Sequence, residues 1–155
     1  MITAVDTNVL LDVLVPSAPR TQSSLQALTQ SRDAGPIVIS EPVYAELAGH
    51  FATREQLDRF LGEADIQLHP SSLEALYLAG RAWRDYLRRR PDSLACPSCS
   101  TQQQVSCTAC GTRLSPRQHV VPDFLIGAHA AVHTDRLLTR DRGFYRTYFR
   151  RLRQA

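Results

Sequence analysis

Lysine is missing: all eighteen basic residues of the 155-residue chain are arginine. An arginine-only set favours forked, bidentate contacts to phosphate wherever the side chains converge, although a biased genomic base composition yields the same pattern without any function. Also missing is any uninterrupted apolar run of the ~18 residues that a spanning helix needs. The opening "MITAVDTN" has neither the basic leader nor the apolar stretch of a signal peptide. These absences point to a cytosolic protein with no membrane partner. What is present is an uneven charge. Residues 1–80 hold four Arg against ten acids, whereas residues 81–155 hold fourteen Arg against five acids, beneath a net charge of only +3. Basic surface is therefore expected late in the chain. The length suits one domain with room for a small inserted module, and 43% hydrophobic content gives an ordinary core.

Periodicity predicts alternating strands and helices. "ITAV" reads as a strand ending at Asp6, and "TNVLLDVLV" as the helix after it. "SSLQALTQSRD" is a helix stopped by Gly35 and Pro36, "IVIS" a second strand, and "EPVYAELAGHF" a helix with Ser40 in capping position. Capping-box spacing recurs at Thr53–Gln56 and Ser71–Glu74, opening two further helices with "IQLH" between them as an edge strand. "PDFLIGAHAAVHT" is a late helix, "RLLT" a last strand, and "RGFYRTYFRRLRQA" a short helix or turn with a basic tail. This order predicts an α/β fold, a central mostly parallel sheet flanked by helices in three layers. From about Arg90 to Arg117 the texture turns polar, with Ser, Pro, Gln and Cys, and this piece lacks a core of its own. No internal repeat is read in the chain.

In an open α/β sheet, ligands gather beyond the carboxyl ends of the strands. Asp6 ends the first strand, Glu46 lies in the helix after the second, Asp123 opens its helix after Pro122, and Asp141 follows "LLT". Such a group of carboxylates repels itself unless cations neutralise it, and oxygen ligands suit Mg²⁺ or Mn²⁺. Three have a plainer alternative: Asp123 a helix cap, Asp141 a turn former before Gly143, Glu46 an exposed helix residue. Asp6, a strand-end acid beside Thr7 and Asn8, has no obvious surface role. Asp12, also in the first helix, either faces the same site or lies on the helix surface, and is taken as a helix-surface acid. The segments "AVDTNVLLDVL", "ISEPVYAELAGHF" and "VPDFLIGAHAAVHTDRLLTRDRGFY" resemble the PIN-domain nucleases, particularly the VapC-like toxins of type II toxin-antitoxin pairs. The resemblance covers residues 1 to about 90 and about 118 to 149. It implies a PIN-like nuclease domain over 1–149, with an insertion at 91–117 and a basic tail at 150–155. It also implies divalent metal held by Asp6, Glu46, Asp123 and Asp141, RNA hydrolysis leaving 5′-phosphate and 3′-hydroxyl ends, supporting roles for Asn8 and Thr139, a small antitoxin partner, and a homodimer for which the early helices are the candidate interface. A catalytically inactive scaffold that binds RNA or protein is the competing class.

Cys96, Cys99, Cys107 and Cys110 form C-x2-C-x7-C-x2-C, with Gly111 placed for a turn needing positive φ. Four thiolates at this spacing can close a tetrahedral structural Zn²⁺ site, a small zinc ribbon whose folding energy would come from the metal; two disulfides or four reduced cysteines are the alternatives. A saturated four-Cys site leaves no open position for catalysis. Compact VapC-like toxins generally lack such a ribbon. Arg88, Arg89, Arg90, Arg113 and Arg117 at its roots are candidate RNA contacts, or simply solvated charge. His129 and His133 have metal-ligand spacing without the intervening glutamate of a zinc hydrolase, and read as core-edge or surface histidines. Tyr77, Trp83 and Tyr86 read as packing or a dimer face, and one or two of Phe144, Tyr145, Tyr148 and Phe149 as cover for a sheet edge.

Overall fold

In the computed structural model, which describes residues 1–15, 20–89, 93–96, 98–114 and 120–155, strand and helix alternate as the periodicity predicts. β1 (Thr3–Val5) leads into α1 (Thr7–Leu14) and α2 (Thr21–Ala34). β2 (Ile37–Ile39) leads into α3 (Glu41–Ala48) and α4 (Arg54–Glu63), and β3 (Ile66–Leu68) into α5 (Leu73–Arg89). Four short strands follow, β4 (Leu94–Ala95), β5 (Gln102–Gln103), β6 (Val105–Ser106) and β7 (Arg113–Leu114). α6 (Val121–His133), β8 (Arg136–Leu138) and α7 (Arg142–Tyr148) then close the fold.

The main sheet has the order β3-β2-β1-β8 and every pairing in it is parallel. Its two central strands, Thr-Ala-Val and Ile-Val-Ile, are buried at every position, because helices cover both faces of a parallel sheet. β3 is the edge strand expected of "IQLH", with Gln67 and Leu68 exposed. The opposite edge is covered by the chain's own end. Leu137 N–H donates to Arg153 O at 2.9 Å and Ala155 N–H to Leu137 O at 3.0 Å, with Gln154 bridging Leu137 in parallel. The basic tail expected over 150–155 therefore docks on β8.

α5 and α6 pack closely because α5 turns alanines, Ala75, Ala79 and Ala82, to the interior. Trp83 and Tyr86 meet Phe124 with ring centroids 5.3 and 5.5 Å apart, whereas Tyr77 is 70% exposed and takes no part in that packing. Phe144, Tyr145 and Phe149 are buried in the same core. Phe149 lies so close to α6 that a Cβ at Gly127 would fall 2.4 Å from its ring, so the absent side chain creates the seat.

The first capping site behaves as its spacing predicts: Thr53 accepts from Gln56 N–H at 3.4 Å, and Gln56 Oε1 accepts from Ala52 N–H at 3.2 Å. The second is displaced by one residue. Ser71 is engaged by Glu41 through its N–H (2.9 Å) and hydroxyl (2.7 Å), so Ser72 takes over and accepts from Ala75 N–H at 3.3 Å. Ser40 holds the N-cap position of α3, but its buried hydroxyl has no partner among the described residues.

The insertion corrects one expectation, for it contains a repeat. β4–β5 and β6–β7 are successive antiparallel hairpins. In the first, Cys96 N–H donates to Thr101 O (2.9 Å) and Ser100 N–H to Cys96 O (2.8 Å). In the second, Cys107 N–H donates to Thr112 O and Gly111 N–H to Cys107 O, both at 2.8 Å. Ser100 (φ 60°) and Gly111 (φ 70°) occupy the same left-handed position, which glycine takes readily and serine does not.

Candidate functional site

Asp6 emerges from β1 and is buried, and three side chains converge on its Oδ2. Asn8 Nδ2 donates at 2.5 Å, Thr139 Oγ1 at 2.6 Å and Tyr145 OH at 3.4 Å. They arrive from α1, from the end of β8 and from α7, so the site joins both ends of the sequence. Glu46, on α3, accepts from the Thr7 hydroxyl. Asp123 lies in the first turn of α6 and its Oδ2 accepts from Val120 N–H at 3.0 Å. Asp141 is the N-cap of α7: its Oδ1 accepts from Phe144 N–H at 3.2 Å, while its own N–H donates to Thr139 Oγ1 at 3.0 Å. The capping roles allowed for Asp123 and Asp141 are thus real, and they coexist with a place on the rim.

The charges of these acids overlap. Burial pushes the Asp6 carboxyl above its ordinary value, and the Asp123 and Glu46 charges push it the same way against the hydrogen bond from Thr139. The Tyr145 phenol is raised far above the tyrosine range by burial and then by Asp6, Asp123 and Asp141, so it stays protonated and remains a donor. All four sequence-predicted acids therefore act on one small region around Asp6 and Tyr145. Among the described residues, however, no group of three or more His, Cys, Asp or Glu side chains is gathered so that it could hold a metal ion. The donor set suits a hard cation in its chemistry, being all oxygen around a buried acid.

Asp12 corrects another expectation. It is buried, not a helix-surface acid: α1 turns Asp12 inward, where Ser24 Oγ donates to its Oδ2 at 2.7 Å and Arg140 Nε lies 3.2 Å away. Arg140 also donates through Nη2 to Asn8 O (2.9 Å) and through its backbone N–H to Asn8 Oδ1 (3.2 Å), which turns the Asn8 amide nitrogen toward Asp6. Arg140, Tyr145 and Thr7 were not singled out from sequence for these roles. For Tyr145 a signal existed, since it lies one helical turn beyond Asp141.

In the insertion the Cys99 thiol donates to Thr101 Oγ1 and the Cys110 thiol to Thr112 Oγ1, each at 3.2 Å. When the sulfurs ionise, the same threonine hydroxyls turn to donate to them, and with the bonds from the threonine backbones and from Cys96 or Cys107 this holds both groups below the ordinary cysteine value. None of the four cysteines is paired in a disulfide. Each hairpin carries its own Cys pair, and among the described residues the four thiols are not gathered so that they could hold a metal ion. Arg88 and Arg89 are exposed at the end of α5, and Arg113 is exposed on β7 with Nη2 3.1 Å from Gln104 Oε1. Arg90 and Arg117 lie outside the described residues.

His129 is not at the core edge or surface as expected, but fully buried. Its Nε2 donates to His69 O at 2.9 Å, and its Nδ1 has no partner among the described residues. Burial, then the nearby His133, pushes it down to about 4. His133 Nε2 accepts from Ser72 N–H at 3.1 Å, so the histidines tie α6 to the β3–α5 connection.

No protein-family model matches the chain, and no curated protein matches it. Solved structures do. A crystal structure of VapBC2 from Rickettsia felis bound to a DNA fragment from its promoter superposes with a TM-score of 0.62 at 18% identity, covering 100% of this chain and 98% of the other. FitAcB from Neisseria gonorrhoeae gives 0.53 at 17% identity, covering 99% and 96%. The likeness defines the fold: a PIN-like three-layer α/β architecture with a central parallel sheet flanked by helices. Among the described residues no helix is long and apolar enough to cross a membrane.

Proposed function

We propose that the protein is a divalent-metal-dependent endoribonuclease that hydrolyses RNA phosphodiester bonds, and the toxin of a type II toxin-antitoxin pair acting in the cytoplasm. The reading is carried by four carboxylates from four segments whose charges meet at the buried Asp6 and Tyr145. Asp6, Glu46, Asp123 and Asp141 would hold Mg²⁺ or Mn²⁺. When bound, such a cation supplies Lewis acidity toward a water and a phosphate oxygen. The chain's own residues set the geometry: Asn8 and Thr139 fix Oδ2 of Asp6, and Thr7 steers Glu46. Arg88, Arg89, Arg90, Arg113 and Arg117 are assigned to RNA, which makes binding weaken as salt rises. Likeness to VapBC2 supports a small antitoxin partner, and the sequence resemblance a homodimer. Cys96, Cys99, Cys107 and Cys110 are assigned to one structural Zn²⁺, for which the two hairpins supply repeated half-sites.

A second reading, a catalytically inactive PIN-like scaffold that binds RNA or protein, is favoured by one observation: the absence of a gathered metal-holding group among the described residues. Metal-free protein incubated with a panel of structured RNAs, with and without Mg²⁺ or Mn²⁺, separates the two. Metal-dependent fragments that disappear in an Asp6→Asn/Asp123→Asn variant are expected. Intact RNA throughout, with folded protein and no Mn²⁺ uptake by calorimetry, would leave the scaffold. Metal analysis of the protein as purified, before any metal is stripped from it, should find about one zinc per chain, and none after all four cysteines are changed to serine.

A further inference from the structure

We propose that Tyr145 is a positioning residue for Asp6, its hydroxyl completing a three-donor cradle on one carboxylate oxygen so that the acid is presented to the rim through the other. The inference rests on reading the acids as a cation-dependent nuclease site. A carboxylate offers about two lone-pair directions per oxygen, and Oδ2 already faces Asn8 and Thr139 at 2.5 and 2.6 Å. Tyr145 adds a third, longer contact at 3.4 Å to that same atom, so none of these three side chains engages Oδ1, and the further bond to this carboxylate comes from the Thr7 backbone.

The phenol is held rigidly enough to do this. Tyr145 is 1% exposed, and its ring lies 4.9 Å from Phe144 and 6.3 Å from Phe149, centroid to centroid. Phe149 in turn is seated on the bare backbone of Gly127 in α6, the helix that carries Asp123. A packed path therefore runs from the Asp6 carboxylate through Tyr145 and Phe149 to α6. It fixes the acid of β1 relative to the acid of α6, and Tyr145 lies on α7 beside the third, Asp141. Hydrogen bonds that orient a ligating carboxylate commonly matter ~10–100-fold in metal affinity or activity.

The test is Tyr145→Phe in the full chain, which keeps the ring and removes the hydroxyl. Mn²⁺ affinity is measured by calorimetry, RNA cleavage as kcat and KM, and folding by thermal melts. About tenfold weaker Mn²⁺ binding is expected, with a matching fall in kcat, unchanged KM for RNA and a Tm within a few degrees. A purely structural hydroxyl would move Tm and leave Mn²⁺ affinity alone. Wild-type affinity in the variant, where the wild type binds Mn²⁺ and cuts RNA, overturns the role of Tyr145 and leaves the nuclease reading standing. A wild type that neither binds nor cuts overturns both. Should Tyr145→Phe fail to fold, the decision passes to wild-type protein carrying tyrosines labelled with ¹³C at Cζ. The Tyr145 signal must move as Mg²⁺ is titrated and stay fixed in Asp6→Asn, and a signal that never moves overturns the proposal.

Discussion

Asp6 sits where its charge is disfavoured, and the consequence can be measured without RNA. Its carboxyl is raised in the folded protein, so its contribution to stability is present below the unfolded value and lost as pH rises through the folded one. At neutral pH the ionised side chain therefore costs stability in metal-free protein. Asp6→Asn should therefore raise Tm at neutral pH, and on the proposed nuclease reading it should abolish cleavage. A loss of folded yield would sink the argument. His129 runs the other way. With its folded value lowered to about 4, its contribution is fully present above the ordinary histidine value and disappears as pH falls toward 4. Melts between pH 7 and 4 should show a loss on the order of 3 kcal/mol, and His129→Gln should flatten that slope. Asp6, Asp123 and Asp141 could be placed from sequence because each lies beside an element end that periodicity marks, whereas Glu46 lies within α3. Asp12 could not be placed: an acid on an amphipathic helix looks the same whether it meets water or, as here, Ser24 and Arg140. Tyr145 reaches Asp6 across 139 positions, a separation no local pattern encodes.

At the scale of elements, α6 and α5 offer a matched pair of glycines. Gly127→Ala pushes a methyl into Phe149 and should cost ~1–3 kcal/mol by overpacking, seen as a lower urea midpoint, because the contact is with a buried ring rather than a flexible tip. Gly80 faces open space on exposed helix, so Gly80→Ala should gain up to ~1 kcal/mol. Equal effects at the two sites would contradict the packing described. Helices and strands were readable from apolar periodicity, and the Thr53 cap from its spacing. Ser71 misled because Glu41, 30 positions away, takes its hydrogen bonds. The repeat in the insertion escaped notice because the two hairpins share little beyond Cys-x2-Cys-x-Thr. Their likeness lies in backbone hydrogen bonds and in the shared left-handed turn of Ser100 and Gly111.

For the whole molecule, among the described residues the insertion shares no strand with the main sheet. Replacing residues 90–119 by a short Gly-Ser linker should keep the far-ultraviolet signature of the domain and a cooperative melt, since loop length alone changes stability slowly. A non-cooperative melt would show that the hairpins support the α5–α6 pair. The alternation of strands and helices made the parallel sheet readable, but not its order, because β1 takes β8, 133 positions away, as one neighbour. That pairing has a further consequence. Asp6 is made well before Thr139 and Tyr145, which hold it from 133 and 139 positions further along the chain. During synthesis the early acid must wait for the far end of the chain, so a growing polypeptide on the ribosome carries no assembled rim. On the proposed nuclease reading, activity therefore waits until α7 has been made and Tyr145 has reached Asp6.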